Sequence, residues 1–259
     1  MPELPDLEVQ CKNLTKLCKG CKVAKVVVQR PKRVQPGEEA LNKALDGATL
    51  NQFKRAGKQM RVLFSNGQVL GVHLMLNGEI RVCAKDEEAK YVSCTISFTD
   101  GKSVAFTDKQ TWITVTLHPE ESSVPDALSP DFTLDYFEGR VKAKAKTPVK
   151  ILLIDQEVVQ GIGNAYADEI LWHAKVDPAS LCKDLPPKVV GTIFREIPKT
   201  LKKAITDIEN NHPDLSFGEA RDHMAVHNNG KDKSPTGKPI QTKEVKGKNT
   251  YYTEEQVMY

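Results

Sequence analysis

Lys150-Ile-Leu-Leu-Ile-Asp155-Gln156-Glu-Val-Val-Gln-Gly161-Ile-Gly163-Asn164-Ala-Tyr166-Ala-Asp168-Glu169 is the stretch on which the fold turns. Two helical patterns, 148–156 and 165–175, are joined here by two glycines and an asparagine. Glycine permits positive φ, so Gly161-Ile-Gly163 predicts a tight double turn and not one continuous helix. Asn164 is placed to cap a helix starting near Ala165, whose free amides could bind phosphate. A plain capped turn would use the same residues, so the stretch alone leaves both readings open.

Working outward, the texture on the two sides differs. Toward the C-terminus the period stays helical, with further candidates at 186–209 and 216–226. The tail from His227 to Lys248 is rich in Gly, Lys, Asn and Pro. Its strand-like pieces at 239–243 and 249–252 predict a small hairpin. Toward the N-terminus, beyond an acidic, Pro-containing stretch at 119–135, the period becomes that of strands. Val23–Val28, Met60–Phe64, Val69–Leu74, Ile80–Cys83, Val92–Phe98 and Val104–Phe106 are separated by turn signals, which argues an antiparallel sandwich. Leu4, Leu7, Val9, Leu14 and Leu17 form an imperfect helical stripe ahead of it. The expectation is a two-domain α+β fold, with a ligand site in a cleft between lobes.

The 259 residues, 39% hydrophobic and 27% charged, suffice for a real core and exclude a disordered chain. No run of 18 apolar residues is present, and the start Met1-Pro2-Glu3-Leu4-Pro5-Asp6 has no apolar segment of a signal peptide. The expectation is a soluble intracellular protein, in cytoplasm and nucleoid or in a nucleus, with its six cysteines reduced. Cys11, Cys18 and Cys21 lack a fourth ligand nearby, so no metal is expected there.

The net charge of +3 hides a segregated distribution. Lys12 to Arg33 holds eight Lys/Arg and no acid, and Arg140 to Lys150 holds five more. Lys54, Arg55, Lys58 and Arg61 add a third basic stretch, while acids gather at 38–46, 86–88, 119–137 and 207–222. One merged basic face would suit a polyanion; separate solvated faces would not.

The N-terminal hexapeptide and the 150–169 stretch together resemble the formamidopyrimidine-DNA glycosylase and endonuclease VIII family of base-excision repair enzymes. The resemblance covers nearly the whole chain. It implies a helix plus β-sandwich catalytic domain at 1–118, a linker at 119–135, a helix-two-turn-helix domain at 136–227 and a finger hairpin at 228–259. It implies a bifunctional glycosylase and lyase acting as a monomer, without cofactor, on double-stranded damaged DNA.

The chemistry suits the residues. Once Met1 is removed, Pro2 is a free secondary amine that can attack C1′ of a damaged nucleotide and leave an iminium. Glu3 beside it can move protons on the sugar and the leaving base. A Pro-rich helix entry, with Glu3 and Asp6 at the positive helix start, is the plain alternative. The resemblance further implies that Lys58 contacts phosphate at the damaged nucleotide and that Lys150 and Asn164 hold the DNA backbone. It places His73 in a DNA-contacting loop, His73-Leu74-Met75-Leu76-Asn77-Gly78. Leu76 would be the wedge in the hole left by the flipped base. In Asp108-Lys-Gln110-Thr-Trp112, Gln110 would face the orphaned base and Trp112 would stack, offsetting part of the unstacking cost. Core packing is the alternative for Trp112.

Departures from the family pattern fall in the tail. Lys233, Thr236, Thr253 and Gln256 stand where the family has four zinc cysteines, so a zincless finger is expected, packed through Ile240, Val245, Tyr251 and Tyr252. Lys248 stands at the finger arginine, keeping charge without the bidentate fork. A DNA-binding protein of the same fold with weak or lost excision is the rival reading, and a basic RNA- or ribosome-associated protein is a more distant one.

Overall fold

The computed structural model describes residues 1–85, 87–228 and 230–259. Asp86, in the acidic cluster at 86–88, and Asn229, in the tail read as a finger, lie outside them. The chain forms two compact units. One comprises Met1–Glu121 and Ile208–Glu219, the other Ser122–Asp207 and Ala220–Tyr259.

In the first unit, helix α1 (Leu4–Cys18) opens on a reciprocal capping box. Glu3 is the N-cap, its backbone N–H donates to Asp6 Oδ2 at 2.9 Å, and its side chain accepts from the Asp6 backbone. Two donors that a helix start leaves without partners are thereby satisfied. Strands β1 (Val23–Val28) and β2 (Val34–Gln35) follow, then helix α2 (Glu38–Leu45), then β3 (Leu50–Ala56), β4 (Gln59–Phe64), β5 (Val69–His73), β6 (Glu79–Cys83), β7 (Val92–Phe98), β8 (Ser103–Thr107) and β9 (Thr114–Leu117). They form a four-stranded sheet, β1-β7-β8-β6, and a five-stranded sheet, β2-β9-β5-β4-β3. Alternate residues such as Met60, Val62 and Phe64 of β4 face one core with Val26, Ile96 and Phe106 of the other sheet. Leu7, Cys11 and Leu14 of α1 close that core. All six cysteines are buried as free thiols, and burial pushes those of Cys18 and Cys94 up to about 12.

The second unit holds α3 (Leu134–Ala143), α4 (Val149–Ile154), α5 (Asn164–Ala174) and most of α6 (Pro187–Asn211), then the hairpin β10 (Gln241–Val245) and β11 (Lys248–Tyr252). Lys246 and Gly247 connect the strands with φ of +49° and +76°, the paired positive angles of a two-residue hairpin turn.

Two local expectations are corrected. Residues 216–226 form no helix; they run as turns and bends. Helix α1 takes a carbonyl within the segment, where Gln10 Nε2 donates to Gly218 O at 2.6 Å, and one just ahead of it, where Asn13 Nδ2 donates to Leu215 O at 2.9 Å. Gly218 has φ +78°, outside any right-handed helix. Within the stretch read as a linker, Leu134 and Asp135 already open α3, capped by the Thr133 hydroxyl, which accepts from Tyr136 N.

Candidate nucleic-acid interface

The first unit carries seven of the residues singled out from the sequence. Pro2 and Glu3 are buried at the head of α1, next to the partial positive charge of a helix start. The capping box fixes Glu3 through Asp6, itself fully buried. With Met1 in place the free ammonium belongs to Met1 and pairs with Glu219 at 3.1 Å. Pro2 nitrogen is then an amide, and only removal of Met1 makes it an amine.

Lys58 sits in the two-residue turn between β3 and β4, where Gly57 takes φ +59°. The ammonium of Lys58 bears on His73 at the end of β5. Burial, and after it this charge, hold the His73 imidazole below the usual histidine range. His73 Nδ1 accepts from Met75 N at 3.0 Å, so its proton lies on Nε2. That hydrogen bond also folds the loop after β5, in which Met75 takes φ +57°. Gly78 closes the loop by donating to Leu74 O at 2.8 Å, and any Cβ there would lie 2.3 Å from the same oxygen.

Leu76 is held outward on this loop, 49% exposed, and Trp112 is 39% exposed on the loop before β9. The core-packing alternative for Trp112 therefore fails. Asp108 organises its loop: the buried carboxylate accepts from the backbone of Gln110 (2.8 Å), Trp112 (2.7 Å) and Ile113 (2.9 Å). Asn77 Nδ2 donates to Gln110 Oε1 at 2.9 Å and ties the two loops together. Leu76, Gln110 and Trp112 thus form one assembly, joined by Asn77 and Asp108.

In the second unit the geometry departs from expectation at Lys150. Its side chain is completely buried, not offered to a phosphate. Nζ pairs with Asp168 Oδ1 at 2.7 Å and donates to Thr250 Oγ1 at 2.8 Å and Asn249 O at 2.9 Å. A buried ammonium needs such partners because desolvation is costly, so the DNA contact expected of Lys150 is corrected to an internal tie. Asn164, the first residue of α5, donates from Nδ2 to the same Asn249 oxygen at 2.9 Å. Gly161 takes φ +98° as the turn requires, whereas Gly163 stays at −121°.

Both residues thereby grip the backbone next to Lys248, which is exposed as the first residue of β11. Asp168 completes the tie, accepting from Tyr251 N at 3.1 Å and meeting His227 Nδ1 at 2.8 Å. A carboxylate only accepts, so that imidazole proton lies on Nδ1. Glu169 accepts from the backbone of Ala225, Val226 and His227 at 2.7 to 2.8 Å. Sequence reasoning missed Asp168, His227 and Asn249. The usable signal was a pair of carboxylates, Asp168 and Glu169, within the buried run 165–172 of α5.

At the four positions of the family's zinc cysteines, the side chains do not fit a zinc ion. Thr236 Oγ1 donates to Glu255 Oε2 at 2.6 Å, Thr253 Oγ1 to the same oxygen at 3.2 Å, and Gln256 Oε1 accepts from Thr253 N at 2.9 Å. Lys233 is exposed. Hydroxyls and an amide bonded in this way offer neither thiolate nor imidazole. Among the described residues no three His, Cys, Asp or Glu converge as a metal site. Trp172, Ala225 and Val226 pack against Ile240 and Tyr251 beneath the hairpin. Among the described residues no helix is long and apolar enough to cross a membrane.

Comparison with known proteins agrees along the chain. Residues 1–115 match the formamidopyrimidine-DNA glycosylase N-terminal domain, and residues 124–212 match the H2TH domain of the same enzymes. Formamidopyrimidine-DNA glycosylase of Lactiplantibacillus plantarum is 30% identical over 242 residues, covering 88% of each chain. That of Streptococcus mutans is 31% identical over 271 residues, covering 97% of each. The Lactococcus lactis Fpg solved with DNA containing an abasic site superposes with a TM-score of 0.86 at 26% identity, covering 99% of this chain and all of that one. The same bacterium's wild-type protein, solved with DNA containing an oxidized pyrimidine, gives 0.85 at 27%, covering 98% and 99%.

Proposed function

This chain belongs to the formamidopyrimidine-DNA glycosylase family, and we propose that it excises oxidised or ring-opened bases from double-stranded DNA and then nicks the abasic site through a Schiff base on Pro2. The observation that carries the reading is the head of α1. There Pro2 is followed by a buried glutamate whose pose is set by Asp6.

The chemistry follows from these groups. After Met1 is removed, the Pro2 nitrogen lone pair attacks C1′ and the bond from C1′ to the base breaks, the base leaving with a proton. The attached nitrogen gives up its N–H proton, and the C1′–O4′ bond opens as the freed lone pair forms the iminium and O4′ takes a proton. A secondary amine gives a cationic iminium without further protonation, and this acts as the electron sink for losing the C2′ proton and expelling the 3′ phosphate. Water finally hydrolyses the iminium and restores the amine. Glu3 is the group within reach of these proton transfers. Leu76 and Trp112 are exposed on braced loops, as residues that replace a flipped base must be. Lys58, with neutral His73 beside it, supplies a cation for the phosphate at the lesion. Asn164 and Lys150 position the hairpin that carries Lys248. The protein works as a monomer inside the cell, where its DNA substrate lies.

Borohydride reduction on an abasic-site duplex tests this directly. A covalent adduct is expected with the native protein and none with Pro2→Gly. Glu3→Gln is expected to lose base excision while keeping some cleavage of preformed abasic sites. An undiminished adduct with Pro2→Gly rules out the nucleophile. Failure of the native protein to trap, with damaged duplex still bound, would favour the rival reading of a DNA-binding protein without excision.

A further inference from the structure

The basic run from Lys12 to Arg33 finds no use at the head of α1, and the structure gathers part of it elsewhere. An open groove in the first unit lies between α1 and β3, lined by Lys12, Lys16, Lys19, Gln52, Lys54 and Arg55. Lys12 and Lys16, four residues apart, share one face of α1, and Lys19 is the residue that caps its end. Gln52 and Lys54 alternate onto one face of β3. β3 is an edge strand, and α1 masks part of its edge: Thr15 Oγ1 accepts from Phe53 N at 2.9 Å and donates to Cys11 O at 2.6 Å. The two walls are therefore joined through the Thr15 hydroxyl.

Two of the cations already have partners. Lys12 pairs with Glu209 at 2.6 Å and Arg55 with Glu8 at 2.8 Å. Lys16, Lys19 and Lys54 are exposed, and none forms an ion pair among the described residues. A lysine near the end of a helix is commonplace, because it complements the helix dipole. Like charges brought from two elements onto one groove are a different matter: Glu8, the acid on its wall, is engaged by Arg55, so the repulsion among Lys16, Lys19 and Lys54 is relieved by an anion from outside. Rising 1.5 Å per residue, α1 places Lys12 and Lys16 about 14 to 20 Å from Glu3 along its axis. The groove is thus removed from the proposed nucleophile.

We propose that this groove is a second binding site for the phosphodiester backbone of duplex DNA, separate from the site that holds the lesion. It takes backbone without reading sequence, since flexible ammonium groups contact phosphates and the aromatic residue on its wall, Phe53, is buried in the core and offers no face for stacking on bases. The backbone can come from the flank of the damaged duplex or from a second duplex. Either would tether the protein to undamaged DNA through a salt-dependent contact that permits sliding and transfer. The identity of the anion rests on the proposed glycosylase reading; the groove itself does not.

The test is the triple variant Lys16→Gln/Lys19→Gln/Lys54→Gln, compared with the native protein across a salt series. Excision from a lesion duplex barely longer than the lesion site reports the proposed reaction, and should be unchanged. Affinity for a long undamaged duplex reports the groove, and its salt slope should fall by about 2 to 3 units, near 0.9 for each phosphate that is no longer neutralised. A long lesion duplex and a short one supplied with a second undamaged duplex separate flank from second segment, and loss in either arm supports the proposal. An unchanged slope in every arm overturns it. So does an equal loss on the short lesion duplex, which would assign the lysines to the lesion site. A loss confined to single-stranded RNA would overturn it in favour of an RNA partner. If the native protein excises nothing while the slope still falls, the groove stands and the glycosylase reading fails.

Discussion

The head of α1 and the base of the β10–β11 hairpin both hold buried charge, and they are built in opposite ways. At the head, Glu3 and Asp6 satisfy each other's backbone three residues apart. At the hairpin, Lys150 reaches 18 residues along the chain to Asp168, 99 to Asn249 and 100 to Thr250. Local construction costs little chain entropy to close, whereas the long tie forms only once the unit has folded. The first arrangement can be read from spacing, and the second cannot. The contrast also divides labour: the head places a reacting group, and the tie places the element that carries Lys248.

The largest effect should come from cutting the long tie. Lys150→Met leaves the Asp168 carboxylate buried with only His227 and the Tyr251 amide, and should cost about 3 to 5 kcal/mol. Urea unfolding measures it. The double variant Lys150→Met/Asp168→Leu removes both charges and should recover most of that loss, because replacing a buried pair by apolar groups is often neutral. A single variant as stable as the native protein would mean that the hairpin is held by Trp172 and its apolar neighbours alone.

Cutting the local arrangement should cost less stability and more activity. Asp6→Ala removes one arm of the capping box, worth about 0.5 to 2 kcal/mol in thermal unfolding. It also frees the Glu3 backbone, so base excision should fall further than cleavage of preformed abasic sites. Equal loss of both would make Asp6 merely a helix cap.

These two regions show how much was legible beforehand. Helix α1 and six strands followed from period and turn residues, and Gly161 announced its positive φ. Strand β3 was missed because Leu50-Asn-Gln-Phe53-Lys-Arg-Ala56 buries only every third residue, so strand alternation never showed. Helix α2 was hidden in an acidic cluster whose Glu38 and Glu39 sit in its first turn. Residues 216–226 differ from expectation for a related reason: Ala220, Met224, Ala225 and Val226 are buried without a helix, and the backbone is held by Gln10 and Glu169 from distant sequence. Lys150 was found by motif and misjudged in role, since a lysine's burial depends on a carboxylate that spacing cannot point to.

At the tip of the hairpin the expected effect is smaller. Lys248→Ala should lower the salt slope of damaged-DNA binding by about one unit if its ammonium meets one phosphate. Lys248→Arg should restore or strengthen binding through a bidentate contact. An unchanged slope would show that the long tie positions a hairpin that does not touch DNA.

The smallest effect, and the finest probe of the first unit, concerns His73. Its proton lies on Nε2 because Nδ1 accepts from Met75. Taking up a second proton would break that hydrogen bond and set two cations side by side, His73 and Lys58. Burial first, then Lys58, therefore hold the folded imidazole below its usual range. The unfolded chain, titrating near about 6.5, binds a proton before the folded one does, so stability from this group is full above that pH and declines as pH falls below it. His73→Gln should flatten the acid limb of stability against pH relative to the native protein, while values above neutrality shift by a constant offset only. Lys58→Met removes the second cause and leaves burial, so the His73 titration followed by NMR should move up only part of the way toward the usual value. A full return would mean that Lys58 outweighs burial, and no movement would mean that its ammonium points away from His73 toward a phosphate position of its own.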